Sequence, residues 1–168
     1  MKKIIFFLVI IMNIFSCTYA TTEFKGVWVA TVYNLDYPTK QTQDVEYLKS
    51  EATLILDNVK EMGLNAVFLQ VRPSADAFYK SDIFPWSKYL TGKNGLAPNN
   101  NFDPLEFWVK EAHRRGIELH AWINPYRITK NGDEEYNLIT NNSPAKLYSE
   151  YIVKYSDNKL TGGNYEET

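Results

Sequence analysis

Seven polar side chains fall at or just beyond the ends of two apolar runs. Gln70, Arg72 and Asp76 follow the first, and His120, Asn124, Tyr126 and Arg127 belong to the second. The set offers hydrogen-bond donors, acceptors and two guanidinium groups, enough to hold a polar ligand. Asp76 is its one carboxyl group, and so its one candidate for acid–base work. Burying Gln70, Arg72 and Asn124 unpaired would cost about 1–3 kcal/mol each, so a wet cleft or a dense hydrogen-bond network must receive them. Ordinary alternatives stand beside these readings. Asp76 also fits a loop cap or a partner for Arg72, His120 a satisfied core histidine, and Arg127 an ion-pair partner of Asp76 or Asp36. Asp36 is a weaker acceptor candidate in an earlier loop.

Strands must present these groups. In Ala66-Val-Phe-Leu-Gln-Val-Arg72, alternation puts Val67, Leu69 and Val71 on one face and Phe68, Gln70 and Arg72 on the other, with Pro73 as the stop. Gly116 to Asn124 repeats the pattern, with Leu119, Ala121 and Ile123 opposite His120, Trp122 and Asn124, and Pro125 ends it. Phe24 to Thr31 reads as an earlier strand. Between the strands, Val45, Leu48, Ala52, Ile55, Val59 and Met62 recur at steps of three and four, and Gly63 sits at the C-cap. Asp103, Pro104 and Glu106 open a second helix that closes at Arg114-Arg115-Gly116. The order is βαβαβ, with helices as crossovers and both sheet faces covered, which predicts parallel strands and ligands at their C-terminal ends. From Ile128 to Pro144 the pattern reads as polar loop, Ala145 to Tyr155 as a short helix, and Lys159 to Thr168 as a polar tail, with no fourth strand.

Lys2 and Lys3 precede an apolar run from Ile4 to Phe15, the pattern of an export signal over residues 1–20. The run is too short for an integral membrane span, which needs about 20 apolar residues. Cleavage after Thr18-Tyr-Ala20 and lipidation at Cys17 are alternative exits, and either predicts an exported protein of the cell envelope or exterior. Cys17 is the only cysteine, so no intrachain disulfide can form. A net charge of -2 with interspersed signs disfavours a nucleic-acid partner. His113 and His120 have no cysteine cluster beside them, and no glycine-rich phosphate loop or serine nucleophile elbow follows a strand. No metal or cofactor is expected.

Phe24-Lys-Gly-Val-Trp-Val-Ala-Thr-Val-Tyr-Asn-Leu-Asp-Tyr-Pro38, Leu64 to Tyr79, Phe84-Pro-Trp-Ser87 with Gly92, and Phe102-Asp-Pro104 through His120-Ala-Trp-Ile-Asn-Pro-Tyr-Arg127 together resemble the glycosyl-hydrolase-like family ten of bacterial envelope proteins. The resemblance covers most of residues 24–127. It implies a (β/α)8 barrel and hydrolysis of glycosidic bonds in a cell-wall glycan or another polysaccharide. Family members continue to a fourth strand bearing adjacent aspartates, where the catalytic acids are expected. Here Thr161 to Thr168 stands in place of that approach, so the chain is expected to be an N-terminal portion of such a barrel, truncated before the acids and inactive alone. Glycoside hydrolysis normally needs two carboxyl groups about 5.5 Å or 6.5–9.5 Å apart, and the strand ends supply no such pair. The alternative is a small exported carbohydrate-binding or adhesion module without catalysis, in which Trp28 and Trp122 would serve as stacking surfaces or simply fill the core.

Overall fold

The computed structural model describes residues 23–130, 132–155 and 159–162. The expected signal segment and Cys17 lie outside the described residues. None of the helices among the described residues is long and apolar enough to cross a membrane.

Three strands, β1 (Gly26–Val29), β2 (Ala66–Arg72) and β3 (Glu118–Ile123), form one sheet in that order, and both pairings are parallel. Helix α1 (Val45–Glu61) joins β1 to β2. Asp44 caps it by accepting from the Glu46 and Tyr47 amides, and Gly63 takes φ 71° just past its end, a left-handed turn that glycine makes without strain. A short helix α2 (Lys88–Thr91) lies within the long connection after β2, and α3 (Pro104–Arg114) leads into β3.

The apolar stripe of α1 buries Val45, Leu48, Ala52, Leu56 and Val59. Leu56 is fully buried, whereas Met62, expected on the stripe, is 63% exposed, and Ile55 packs at the margin of the core. Trp108 and Ala112 of α3 join that stripe against Val67, Leu69 and Val71 of β2. Both long helices therefore cover the same face of the sheet. The expectation that both faces are covered is corrected. The opposite face carries Trp28, Phe68, His120 and Trp122, stacked or edge-on to one another, and Trp28 is 60% exposed. Helices on one side of parallel strands, with inward side chains on the other, are the pattern of a (β/α)8 barrel wall, of which this sheet supplies three strands.

Asp103 accepts from the Glu106 amide at the start of α3 and from the Lys80 amide of the preceding loop, at 3.1 and 2.9 Å. Glu106 does not complete the reciprocal cap and pairs with Lys110 instead. Asp103→Ala should therefore cost about 1–2 kcal/mol, the upper part of the range for a lost N-cap, because two amides lose their acceptor. Thermal unfolding of the variant measures it, and a shift indistinguishable from zero would contradict the assignment.

Beyond β3 the chain departs from expectation. A helix α4 (Gly132–Asn137) stands within the segment expected to be polar loop, and the expected helix from Ala145 to Tyr155 reduces to α5 (Pro144–Leu147). It is followed by an antiparallel hairpin of β4 (Ile152–Tyr155) and β5 (Lys159–Gly162), separate from the main sheet. Ile152, Val153 and Tyr155 favour a strand, but four residues give too little alternation to be recognised.

Candidate active site

At the C-terminal end of β2 the first candidate proves to be wiring. Gln70 is fully buried, and its Oε1 accepts from the Thr31 and Val32 amides at 3.0 and 2.9 Å. The Thr31 hydroxyl in turn donates to the Gln70 carbonyl at 2.8 Å. The amide side chain thus fixes the turn by which the chain leaves β1. Asn124 acts similarly between the other two strands. Its Oδ1 accepts from Trp122 Nε1 at 3.0 Å, its Nδ2 donates to the Pro73 carbonyl at 3.1 Å, and its own amide donates to the Arg72 carbonyl at 3.0 Å.

Arg72 leaves the row that simple alternation predicts for it. The register of β2 against β3 shifts between Gln70 and Arg72, so Phe68 lies opposite His120 and Gln70 opposite Trp122, while Arg72 comes opposite Ile123. An irregularity of this kind re-aims the side chain beyond it. The guanidinium carbon sits 3.6 Å from the centroid of the Phe84 ring, so the cation rests on an aromatic face instead of pairing with Asp76.

Asp76 belongs to a different setting. It lines a cavity of about 350 Å³ beyond the strand ends, together with Ser74, Ala75, Lys88, Asn94, Ile128 and Glu135 among others. The residue is 4% exposed. Its Oδ1 accepts from the Ser74 amide at 3.1 Å, so the loop-cap reading holds, and the Ser87 hydroxyl also faces it. Burial is the largest influence on the carboxyl group and raises its pKa to about 6, against the pull of Ser87 and Ser74. Glu135 pushes in the same direction as burial, and Lys88 opposes it.

Lys88 and Glu135, which the strand pattern does not single out, both line the cavity and form an ion pair there, at 2.7 Å with Glu135 7% exposed. The other Glu135 oxygen accepts from the Lys130 amide at 2.8 Å. Asn94 adds a second tie, accepting from the amide and hydroxyl of Thr140 at 3.0 and 3.1 Å. The segment after β3 is thereby fastened over the loop after β2, and the cavity lies between them. Glu135 sits in an acidic run, Asp133-Glu134-Glu135, within the segment whose sequence reads as polar loop. Only packing distinguishes the buried member.

The remaining candidates do not converge on the cavity. His120 lies in the middle of β3, stacked on Phe68, with Nε2 3.1 Å from Glu118 Oε2. Tyr126 is 51% exposed, and Arg127 is half-buried. Asp36 closes its own loop by accepting from the Ala30 amide at 2.7 Å. Among the described residues, no group of three or more histidine, cysteine, aspartate or glutamate side chains is placed to hold a metal ion.

A parallel sheet with crossover helices on one face and a cavity past the strand C-termini is the layout of part of a (β/α)8 barrel wall. The chain belongs to the glycosyl hydrolase-like 10 family, whose match runs over residues 23–161. It is 44% identical over 135 residues to the glycosyl hydrolase YngK of Bacillus subtilis, covering 80% of this chain and 26% of that protein. It is 39% identical over 138 residues to the glycosyl hydrolase DigH of Escherichia coli K12, covering 76% of this chain and 31% of that protein. The chain thus spans between about a quarter and a third of the length of these curated relatives.

Proposed function

We propose that this chain is part of an exported glycoside hydrolase acting on a bacterial cell-wall glycan or another polysaccharide, and that it contributes binding wall and scaffold rather than a complete pair of catalytic acids. The family match over residues 23–161 carries the reading. Both named relatives are glycosyl hydrolases, and the Lys2-Lys3 head with its apolar run supports export. Asp76 is the carboxyl group best suited to holding a proton near neutral pH, because burial raises its pKa to about 6. A second acid free to work beside it is missing among the described residues, since Glu135 is held by Lys88 and the Lys130 amide and Asp36 by the Ala30 amide.

The 168-residue chain is therefore expected to release no reducing ends from purified cell-wall glycan or chitooligosaccharides above background. Turnover that disappears in Asp76→Ala would overturn this division of labour. A non-catalytic carbohydrate-binding module is the second reading, favoured by the exposed Trp28 set edge-on to Trp122 at 5.2 Å between ring centroids. Glycan binding that is lost in Trp28→Ala, without hydrolysis by any longer form of the protein, would select it.

A further inference from the structure

The cavity beyond β2 has two unlike walls. Ser74, Asp76, Lys88 and Asn94 belong to the connection after β2, whose Phe78, Tyr89 and Leu90 enter the main core. Glu135, Leu138 and Ile139 belong to residues 132–147, which carry α4 and α5. That segment rests on a small apolar cluster of its own. Ile128 and Ala145 are its two buried members among the described residues, with Ala75, Tyr136, Ile139 and Ile152 at the margin, against sixteen buried members in the core beneath α1 and α3. The amides of Leu138, Ile139, Ser143, Lys146 and Leu147 all donate to carbonyls inside the segment, so none of these bonds ties it to the rest of the chain. Side chains supply the fastening instead. Glu135 meets Lys88, and Asn94 accepts from the amide and hydroxyl of Thr140.

The ends of the segment are built to turn. Lys130, just before it, holds its ammonium group 4.6 Å from the centroid of the Tyr33 ring, and Gly132 then takes φ 65°, in a region where glycine moves without steric penalty. At the far end Tyr148 leaves helical geometry at φ -122° and ψ 44°. A segment with few buried apolar contacts, held down by a few side chains, opens at a lower free energy than the body beneath it.

We propose that residues 132–147 form a flap that opens about Gly132 as one unit, releasing Glu135 from Lys88 and Thr140 from Asn94 and admitting ligand to Asp76. With the flap down Asp76 is 4% exposed, so a polymer reaches its carboxyl group only when the flap is raised. This gating does not depend on which ligand enters.

Hydrogen exchange followed by mass spectrometry on the 168-residue chain reads the opening directly. Peptides spanning residues 138–147 should be protected at least about a hundredfold less than those of α1 and α3, whose amides open only with the core. Lys88→Met removes the ion-pair latch and should speed exchange of the flap about tenfold or more while α1 and α3 keep their rates. Thr140→Val, which removes one donor to Asn94, should act in the same direction by a smaller factor, and it serves as the test if Lys88→Met does not fold. Access to the cavity is read separately. In a Cys17→Ala background, the thiol introduced by Ser74→Cys, at a position 4% exposed, should react with a soluble disulfide reagent at a rate that rises in step with flap exchange when Lys88→Met is added. Flap peptides protected as well as α1 and α3, or a Lys88→Met effect of equal size in all of them, would show one cooperative unit and overturn the flap. A thiol rate indifferent to Lys88→Met would overturn the gating of the cavity.

Discussion

Gln70→Leu should destabilise the chain by about 2–5 kcal/mol, because it leaves the buried Thr31 and Val32 amides without their acceptor at about 1–3 kcal/mol each. The substitution nearly conserves volume, so little of this arises from a cavity. Gln70 Nε2 has no partner among the described residues, and removing it offsets a part of the loss. The contact between the Thr31 hydroxyl and the Gln70 carbonyl is retained, since it uses only the backbone of residue 70. Urea unfolding at an unchanged m-value would report the effect as a lower midpoint. A loss below about 1 kcal/mol accompanied by loss of saccharide binding would return Gln70 to the ligand-contacting group in which its position on the strand first placed it.

Asp76→Asn should have the opposite sign at neutral pH. The folded carboxyl group titrates near 6, whereas an ordinary aspartate titrates at 3.8, so between these values the folded state keeps a proton that the unfolded chain has released. Stability contributed by this residue is fully present below the unfolded value and is lost as pH rises through the folded one. Above about pH 6 the loss amounts to about 3 kcal/mol. The asparagine variant carries no such charge and can still accept from the Ser74 amide. It should exceed the parent in stability by up to about 3 kcal/mol at about pH 7–8, with the difference closing towards about pH 4. Denaturant midpoints measured across that range would show the convergence. A constant difference, or a variant less stable at every pH, would mean that Asp76 is not strained by its burial. A buried carboxyl group whose charge costs stability, lining a cavity, marks a candidate working residue.

Much of the architecture is written in local pattern. The stripe through Leu48, Ala52 and Val59 fixes α1 because residues three and four apart share a helix face, and Asp103-Pro104 fixes the start of α3 through its cap. Alternation in β2 separates Val67, Leu69 and Val71 from Phe68 and Gln70 because successive strand side chains point opposite ways. These features need only neighbours along the chain, and the motifs around them are enough to expose the family. What lies beyond local pattern is decided by contacts between distant segments. Glu135 is buried because it meets Lys88 across the cavity, whereas its neighbours Asp133 and Glu134 are exposed. Asn94 meets Thr140 across 46 residues, and that tie helps to close the cavity. The register shift that carries Arg72 to Phe84 depends on how β3 docks beside β2. Gln70 is wiring because the turn after β1, 38 residues earlier, presents its amides there. The sequence by itself determined which elements form around the sheet and most of the residues that face the core, since periodicity and capping act over one or two turns. Only the tertiary structure decided which polar groups are spent on one another and which are left facing a cavity, because that depends on partners brought together by folding from far apart in the chain.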